Sequence, residues 1–473
     1  MSFARGYMET LASRSRHCHN HVEMIARFMS LGSLPATFAG TNLQPVSYRH
    51  HRRSLSLSHH PPRSISNQNS SLLTEQDNGA PAVAPKVPLC ERPPAHSAQL
   101  TSLRAWRENA AQRATLAGTR WAAAGEADAP SVEDLHTELS WLLDDAVAGV
   151  IDSSSAAWEQ KSWREIERAE AGMVVVGAAE IYLRESLEEL DTLWHRRVED
   201  RVPLQYLTSC AFWRDLILSV GPGVLIPRPE TELLIDFSVA AVEANPSLGQ
   251  GQWADLGTGS GALAIGLAHT IPTLSKVWAV DLAPEPAAHA AFNAERAGLN
   301  KESTPSFEVV RGSWYEPLVA RGGCLGQLSG IVSNPPYITE ELMEGLQAEV
   351  GQYEPELALD GGEGLGIDAL APICRGAVEM LQPGGFLALE TAGGEQAHYV
   401  AQLLQHLRCG IVVNGAVVLS SSSEISSSGS EEGVSDIGGQ EHLAFENVKI
   451  RNDLRGVDRF VTATRSKHPC TYL

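Results

Sequence analysis

A doubly wound, mostly parallel α/β sheet, preceded by a small helical domain, is the fold this sequence predicts. From Glu230 onward, short apolar runs alternate with helix-patterned stretches, as in a parallel sheet with crossover helices. The turn Asp255-Leu-Gly-Thr-Gly-Ser-Gly261 lies directly after one such run and directly before a helix, where open α/β sheets bind ligands. Between residues 96 and 200 leucines recur instead at steps of three and four.

Residues 1–90 are rich in Ser, His, Arg and Pro, with no sustained apolar period. This is the composition of an organellar transit region, and no apolar segment near its start suits a secretory signal. Its Ser-rich character points to a plastid, with the mitochondrion as the alternative. Residues 96–200 form the helical domain, placed to face a substrate. Ser131-Val-Glu-Asp134 fits a capping box, and Leu135, Leu139, Leu142 and Leu143 follow at helical spacing. Leu183, Leu187, Leu190 and Trp194 repeat the pattern. Residues 203–229 read as a β-hairpin linker, with Phe212-Trp213 and Leu216-Ile217-Leu218 before the turn Gly221-Pro222-Gly223. Strands follow over 253–256, 277–280, 307–310, 331–333 and 386–389, and helices over 262–269, 287–297 and 370–381. Residues 419–440 are a Ser/Glu/Gly tract expected to be a disordered insertion. Strands over 448–450 and 460–462, one of them antiparallel, close a catalytic domain spanning 230–473.

The formal charge of the 473 residues is -21. Ahead of Glu75 stand eight arginines and only two acids, a charge of +6 that leaves -27 for the remainder. Such an acidic body suits a protein partner with a basic surface better than nucleic acid, whose binding depends on phosphate neutralisation. No apolar run approaches the roughly 20 residues that span a bilayer. The seven cysteines show neither a C-x-x-C pair nor metal-ligand spacing, so isolated reduced thiols and no metal centre are expected.

Three elements carry chemistry. Gly257, Gly259 and Gly261 let the backbone turn tightly and approach a ligand closely. With Thr258 and Ser260 between them, the spacing is Gly-x-Gly-x-Gly, not the dinucleotide pattern, which favours an adenosyl ligand with a charged amino-acid tail. Asp281 ends the second strand about 20 residues further on, where an acid accepts hydrogen bonds from ribose hydroxyls; otherwise it is a helix cap ahead of Pro284. Asn334-Pro335-Pro336-Tyr337 follows the fourth strand. An amide or aromatic amino nitrogen is a poor nucleophile because its lone pair is delocalised. The Asn334 side-chain oxygen and the Pro335 carbonyl can accept both its N–H groups, and Tyr337 offers a planar face. Two prolines preorganise these groups. Trp314, after the third strand, is placed to pack on an adenine ring or simply in the core.

With these motifs in view, the chain resembles the HemK-type release-factor glutamine methyltransferases over residues 130–465. The resemblance rests on Pro203-Leu-Gln-Tyr-Leu207, Pro222-Gly-Val-Leu-Ile-Pro-Arg-Pro-Glu-Thr-Glu232, Val332-Ser-Asn-Pro-Pro-Tyr-Ile338, Tyr353-Glu-Pro-Glu-Leu-Ala-Leu-Asp360 and Leu381-Gln-Pro-Gly-Gly385. Asn-Pro-Pro-Tyr alone is shared with adenine methyltransferases; the Pro-Arg-Pro-Glu-Thr-Glu stretch is not. Ser313 stands where the family usually has an acid, and the N-terminal extension and the late insertion are atypical of it. The resemblance implies a Rossmann-type class I methyltransferase that uses S-adenosylmethionine. It implies that Gly257 to Gly261, Asp281, Trp314 and Asn334 contact the cofactor, and that Asn334 to Tyr337 hold the glutamine of a Gly-Gly-Gln loop. The implied partner is an organellar class-1 release factor, met by a monomer. Competing substrates are adenine in nucleic acid and a ribosomal-protein glutamine. A non-catalytic binding protein with the same fold is disfavoured by the intact Asn334 to Tyr337 motif.

Overall fold

Seven strands build the main sheet. β1 (Gln252–Leu256), β2 (Lys276–Asp281), β3 (Ser306–Arg311), β4 (Leu328–Ser333) and β5 (Leu381–Glu390) are parallel, and β6 (Phe445–Asn452) and β7 (Asp458–Arg465) complete it. The spatial order is β6-β7-β5-β4-β1-β2-β3. Only β7 runs against the rest, pairing antiparallel with both β5 and β6. This computed structural model describes residues 84–126, 128–151, 158–171, 180–409, 411–413, 416–418 and 442–467. The insertion at 419–440 and residues 1–83 lie outside the described residues; residues 84–90, counted with the transit region by composition, instead pack on the body, with Leu89 buried among the N-terminal helices and Lys86 O accepting from Ser219 Oγ at 2.8 Å.

The central strands are mostly apolar because helices cover both of their faces, with Asp255, Ser329 and Ser333 as buried polar exceptions. Alternate residues face opposite sides. Trp253, Ala279, Phe307 and Ala388 share one core with α4 (Leu233–Ala244), α5 (Ala262–Thr270) and α6 (Pro284–Arg296). Ala254, Val280, Ile331 and Leu387 share the other with α7 (Leu370–Met380) and α8 (Gly394–His406). The strand order reverses between β4 and β1, so a crevice opens beyond the carboxyl ends of these two neighbours. Ser333 pairs with Leu256, and Leu256 with Val280. The loops after β4 and β1, and the last residue of β2, therefore converge there.

The N-terminal part is less purely helical than its leucine spacing suggests. α1 (Leu100–Ala124), α2 (Val132–Ala146) and α3 (Leu187–Glu199) pack together, with Leu135, Leu139, Trp194 and Trp121 buried among them. Ser131 Oγ accepts from Asp134 N at 3.1 Å and the Asp134 carboxylate accepts from Ser131 N at 3.0 Å, closing the expected capping box. Ser186 and Glu189 cap α3 in the same way. A four-stranded antiparallel sheet stands beside these helices, in the order His96–Gln99, Glu180–Leu183, Val147–Ile151, Trp158–Glu159. Leu183 belongs to that sheet, not to a helix: Glu180–Leu183 buries every second residue. The β-branched Val147, Val150 and Ile151 end α2 because they pack better on a pleated surface.

A short helix (Leu204–Thr208) and a hairpin pairing Ala211–Trp213 with Leu216–Leu218 connect the two parts. Buried Arg197, on α3, holds Glu138 at 2.9 Å and Glu349, from the catalytic part, at 3.1 Å; Arg201 holds the other Glu349 oxygen at 2.6 Å. Among the described residues no helix is long and apolar enough to cross a membrane. Cys324 and Cys374 are separately buried, but Cys90 and Cys210 are not isolated from one another, because the turn at Leu89–Glu91 folds against the hairpin.

Candidate active site

The glycine loop is shaped by its own backbone. Gly257, Gly259 and Gly261 have φ of 74°, 56° and 86°, values that side chains other than glycine rarely adopt. Gly257 N and Thr258 N both donate to Val280 O at 2.9 Å, tying the loop to β2. A Cβ on Gly261 would lie 3.2 Å from Ala290 Cα, so α6 can approach only a glycine there. Thr258 and Ser260 turn inward and are buried. Thr258 Oγ1 donates to Asp255 Oδ2 at 2.6 Å, so Thr258 offers the crevice its backbone, not its hydroxyl.

Asp281 ties the end of β2 to the glycine loop and to the turn before α6, whose N-cap is Ala283 with no side-chain bond. Its Oδ2 accepts from Gly259 N at 2.9 Å and its Oδ1 accepts from Ala283 N at 3.1 Å, ahead of α6. Each carboxylate oxygen retains acceptor capacity beyond these bonds. Burial raises its pKa, and the backbone N–H groups oppose that rise. Asp255 is pushed up to about 7 by burial, with Thr258 and Ala264 pulling it down and Asp281 adding to the rise. Its Oδ1 is buried with no hydrogen-bond partner. Two acids and a bare glycine turn fit a ligand with ribose hydroxyls and a cationic tail.

The motif residues are brought together. A Cβ on Gly257 would lie 3.6 Å from the Trp314 ring and 3.9 Å from Asn334 O. Trp314 itself has a φ of 44°, a rare backbone state for a bulky residue and one that concentrates at functional sites.

The decisive detail lies behind Asn334. Its Nδ2 donates to Thr231 Oγ1 at 3.1 Å, and Thr231 Oγ1 donates in turn to Glu390 Oε2 at 2.6 Å. Tyr337 OH donates to Glu390 Oε1 at 3.1 Å, and Gln396 Nε2 donates to Tyr337 O at 2.9 Å. The relay fixes the Asn334 amide with its nitrogen inward, leaving Oδ1 as the group that can accept from a substrate. Burial raises Glu390 to about 7, against hydrogen bonds from Thr231 and Tyr337 and the nearby charge of Arg459. Burial, then the Glu390 carboxylate, raises the Tyr337 phenol, so it stays a protonated donor.

Sequence reasoning missed Thr231 and Glu390 as site residues. Thr231 sits in the Pro-Arg-Pro-Glu-Thr-Glu stretch, held from both sides: Arg228 pairs with Glu354 at 2.6 Å, and Glu232 Oε1 accepts from Arg214 N at 2.9 Å. The one available signal for Glu390 was an acid ending the apolar strand Phe386-Leu-Ala-Leu-Glu390, at the end of the sheet where sites form.

This sheet order, with a glycine turn, an acid and Asn-Pro-Pro-Tyr at one crevice, defines a class I methyltransferase that takes its methyl group from S-adenosylmethionine. No family model matches the chain. Known proteins do. The release factor glutamine methyltransferase of Synechocystis sp. is 37% identical over 319 residues, which cover 67% of this chain and 92% of that one. Its counterpart in Gloeobacter violaceus is 40% identical over 271 residues, 53% of this chain and 90% of that one. That of Thermosynechococcus vestitus is 39% identical over 284 residues, 60% and 81%. The chain belongs to the HemK-type release factor glutamine methyltransferase family.

Proposed function

We propose that this enzyme methylates the side-chain amide nitrogen of the glutamine in the Gly-Gly-Gln motif of a class-1 peptide-chain release factor, and thereby modulates translation termination. The observation that carries this reading is the locked Asn334 amide, whose Oδ1 is left to accept from an incoming amide. The two acceptors a primary amide needs are Asn334 Oδ1 and the Pro335 carbonyl. Tyr337, pinned through its hydroxyl to Glu390, supplies a fixed planar wall. S-adenosylmethionine supplies an electrophilic methyl on a positively charged sulfur. Gly257, Thr258, Gly259, Ser260 and Gly261 hold that ligand through their backbone, Asp281 accepts from its ribose, and Trp314 packs on its adenine. Positioning of this kind contributes several kcal/mol of barrier reduction.

The substrate is the release factor of an organelle, a plastid or alternatively a mitochondrion, reached through the Ser- and Arg-rich segment ahead of residue 84. The acidic body suits a basic protein partner met by a monomer, and weighs against adenine in nucleic acid, whose enzymes need a basic surface. A ribosomal-protein glutamine is the remaining competitor.

The test is transfer of label from S-adenosylmethionine to a bacterial-type release factor, beside a variant with asparagine in place of the Gly-Gly-Gln glutamine. Label on the unaltered factor alone is expected. Label on neither, with ribosomal proteins labelled instead, overturns the substrate. A fluorescent protein fused behind residues 1–90 is expected in plastids or mitochondria, and cytosolic fluorescence would remove the organellar reading.

A further inference from the structure

A second constellation lies outside the crevice and takes no part in methyl transfer. Cys90, in the turn Leu89–Glu91, and Cys210, directly before the strand Ala211–Trp213, are 120 residues apart in the chain. Their Sγ atoms meet at 3.6 Å. Asp145, in the last turn of α2, places a carboxylate oxygen within 4.8 Å of both. Cys210 and Asp145 are buried, whereas Cys90 is partly exposed, so one thiol is within reach of solvent. The Arg184 guanidinium is fixed beside them by backbone carbonyls, donating to Asp145 O and to Arg92 O, both at 3.0 Å. An S–S bond of roughly 2.05 Å requires the two sulfurs to draw closer from this contact.

We propose that Cys90 and Cys210 form a reversible dithiol–disulfide site, oxidised by a small disulfide of the glutathione class, with Asp145 taking the proton from Cys210. Partly exposed Cys90 gives its proton to solvent, and its thiolate attacks one sulfur of the small disulfide, forming a mixed disulfide and expelling one thiolate. Asp145 takes the Cys210 proton, the Cys210 thiolate attacks the Cys90 sulfur, and a second thiolate leaves. Two electrons pass from the protein thiols to the small disulfide, and the two protons end on its thiols. Burial, then the neighbouring Asp144, raises Asp145 to about 7, which suits a group that must both take up and return a proton near neutrality. The Cys90 contact and burial raise the Cys210 thiol, so it needs such a base.

The location gives the bridge a consequence. Trp213 Nε1 donates to Arg228 O at 2.9 Å and Arg214 N to Glu232 Oε1 at 2.9 Å, so the hairpin beginning at Cys210 supports the stretch that carries Thr231. Oxidation therefore staples the Leu89–Glu91 turn to the support of the active-site loop.

The experiment treats the full chain with oxidised glutathione, maps peptides without reduction, and follows thermal unfolding. A Cys90–Cys210 peptide is expected, reversed by dithiothreitol, with a melting temperature raised by about 5 °C or more because a long loop is closed. Cys90→Ser removes both effects and leaves methyl transfer unchanged. Asp145→Asn slows bridge closure about tenfold at neutral pH, and the difference shrinks at alkaline pH, where the thiolate forms unaided. Mapping on the unaltered chain needs no variant to fold. Cys90 left as a stable glutathione adduct would overturn the proposal. So would one zinc ion per reduced chain that is lost in Cys90→Ser, which would make the trio a metal site instead.

Discussion

Replacing Thr231 by valine keeps the shape of the side chain and deletes one hydroxyl. That hydroxyl accepts from Asn334 Nδ2 at 3.1 Å and donates to Glu390 Oε2 at 2.6 Å. Thr231 and Glu390 are buried, so no water readily substitutes for it. A hydrogen bond to a charged partner is worth about 1.5–3 kcal/mol, and an amide left without its partner loses its preferred orientation. At about 1.4 kcal/mol per tenfold in rate, freeing Asn334 should lower kcat roughly 10- to 100-fold. Cofactor affinity should change little, because the Thr231 hydroxyl bonds Asn334 and Glu390 and not the glycine loop or Asp281. The assay pairs initial rates from labelled S-adenosylmethionine with calorimetric titration of the same ligand. Thr231→Ser retains the hydroxyl and should recover most of the rate. A valine variant within twofold of the parent kcat, or one that loses rate and cofactor affinity in parallel, would refute the positioning role.

Other expectations rest on separate features. Asp281→Ala also releases Gly259 N and Ala283 N, and should weaken cofactor binding about 10- to 100-fold by calorimetry; equal affinity would refute the ribose assignment. Glu390 accepts both relay bonds only when ionised, so kcat should fall as pH drops through about 7, and Glu390→Gln should flatten that limb. Its stability term runs the other way. Its folded pKa is raised, so the folded state binds more protons, and the term is fully present below about 4.5 and lost as pH rises through about 7; denaturation of Glu390→Gln across that window should show less of this loss. Arg197→Ala strands the carboxylates of Glu138 and Glu349, the second retaining Arg201, and should cost about 3–5 kcal/mol in urea unfolding. A loss below about 1 kcal/mol would mean the junction draws little on this pair.

What the sequence determined by itself was local. The glycine turn, Asp281 and Asn334 to Tyr337 each follow directly from a strand end, where period, turn chemistry and site position coincide in a few consecutive residues. The alternation of elements from Glu230 likewise needed no long-range information. α4 escaped notice because Leu233–Ala244 is apolar on nearly every side and shows no helical stripe. The small N-terminal sheet was hidden because its four strands, two to five residues each, lie between helices with stronger spacing. Only the tertiary structure decided which way the Asn334 amide points. Thr231 lies 103 residues from Asn334 and 159 from Glu390, and they meet because the sheet order sets β4 beside β5 with the Thr231 stretch folded across their ends. Cys90 and Cys210 meet for the same reason: no periodicity records a side-chain contact between segments 120 residues apart, and packing alone brings them together.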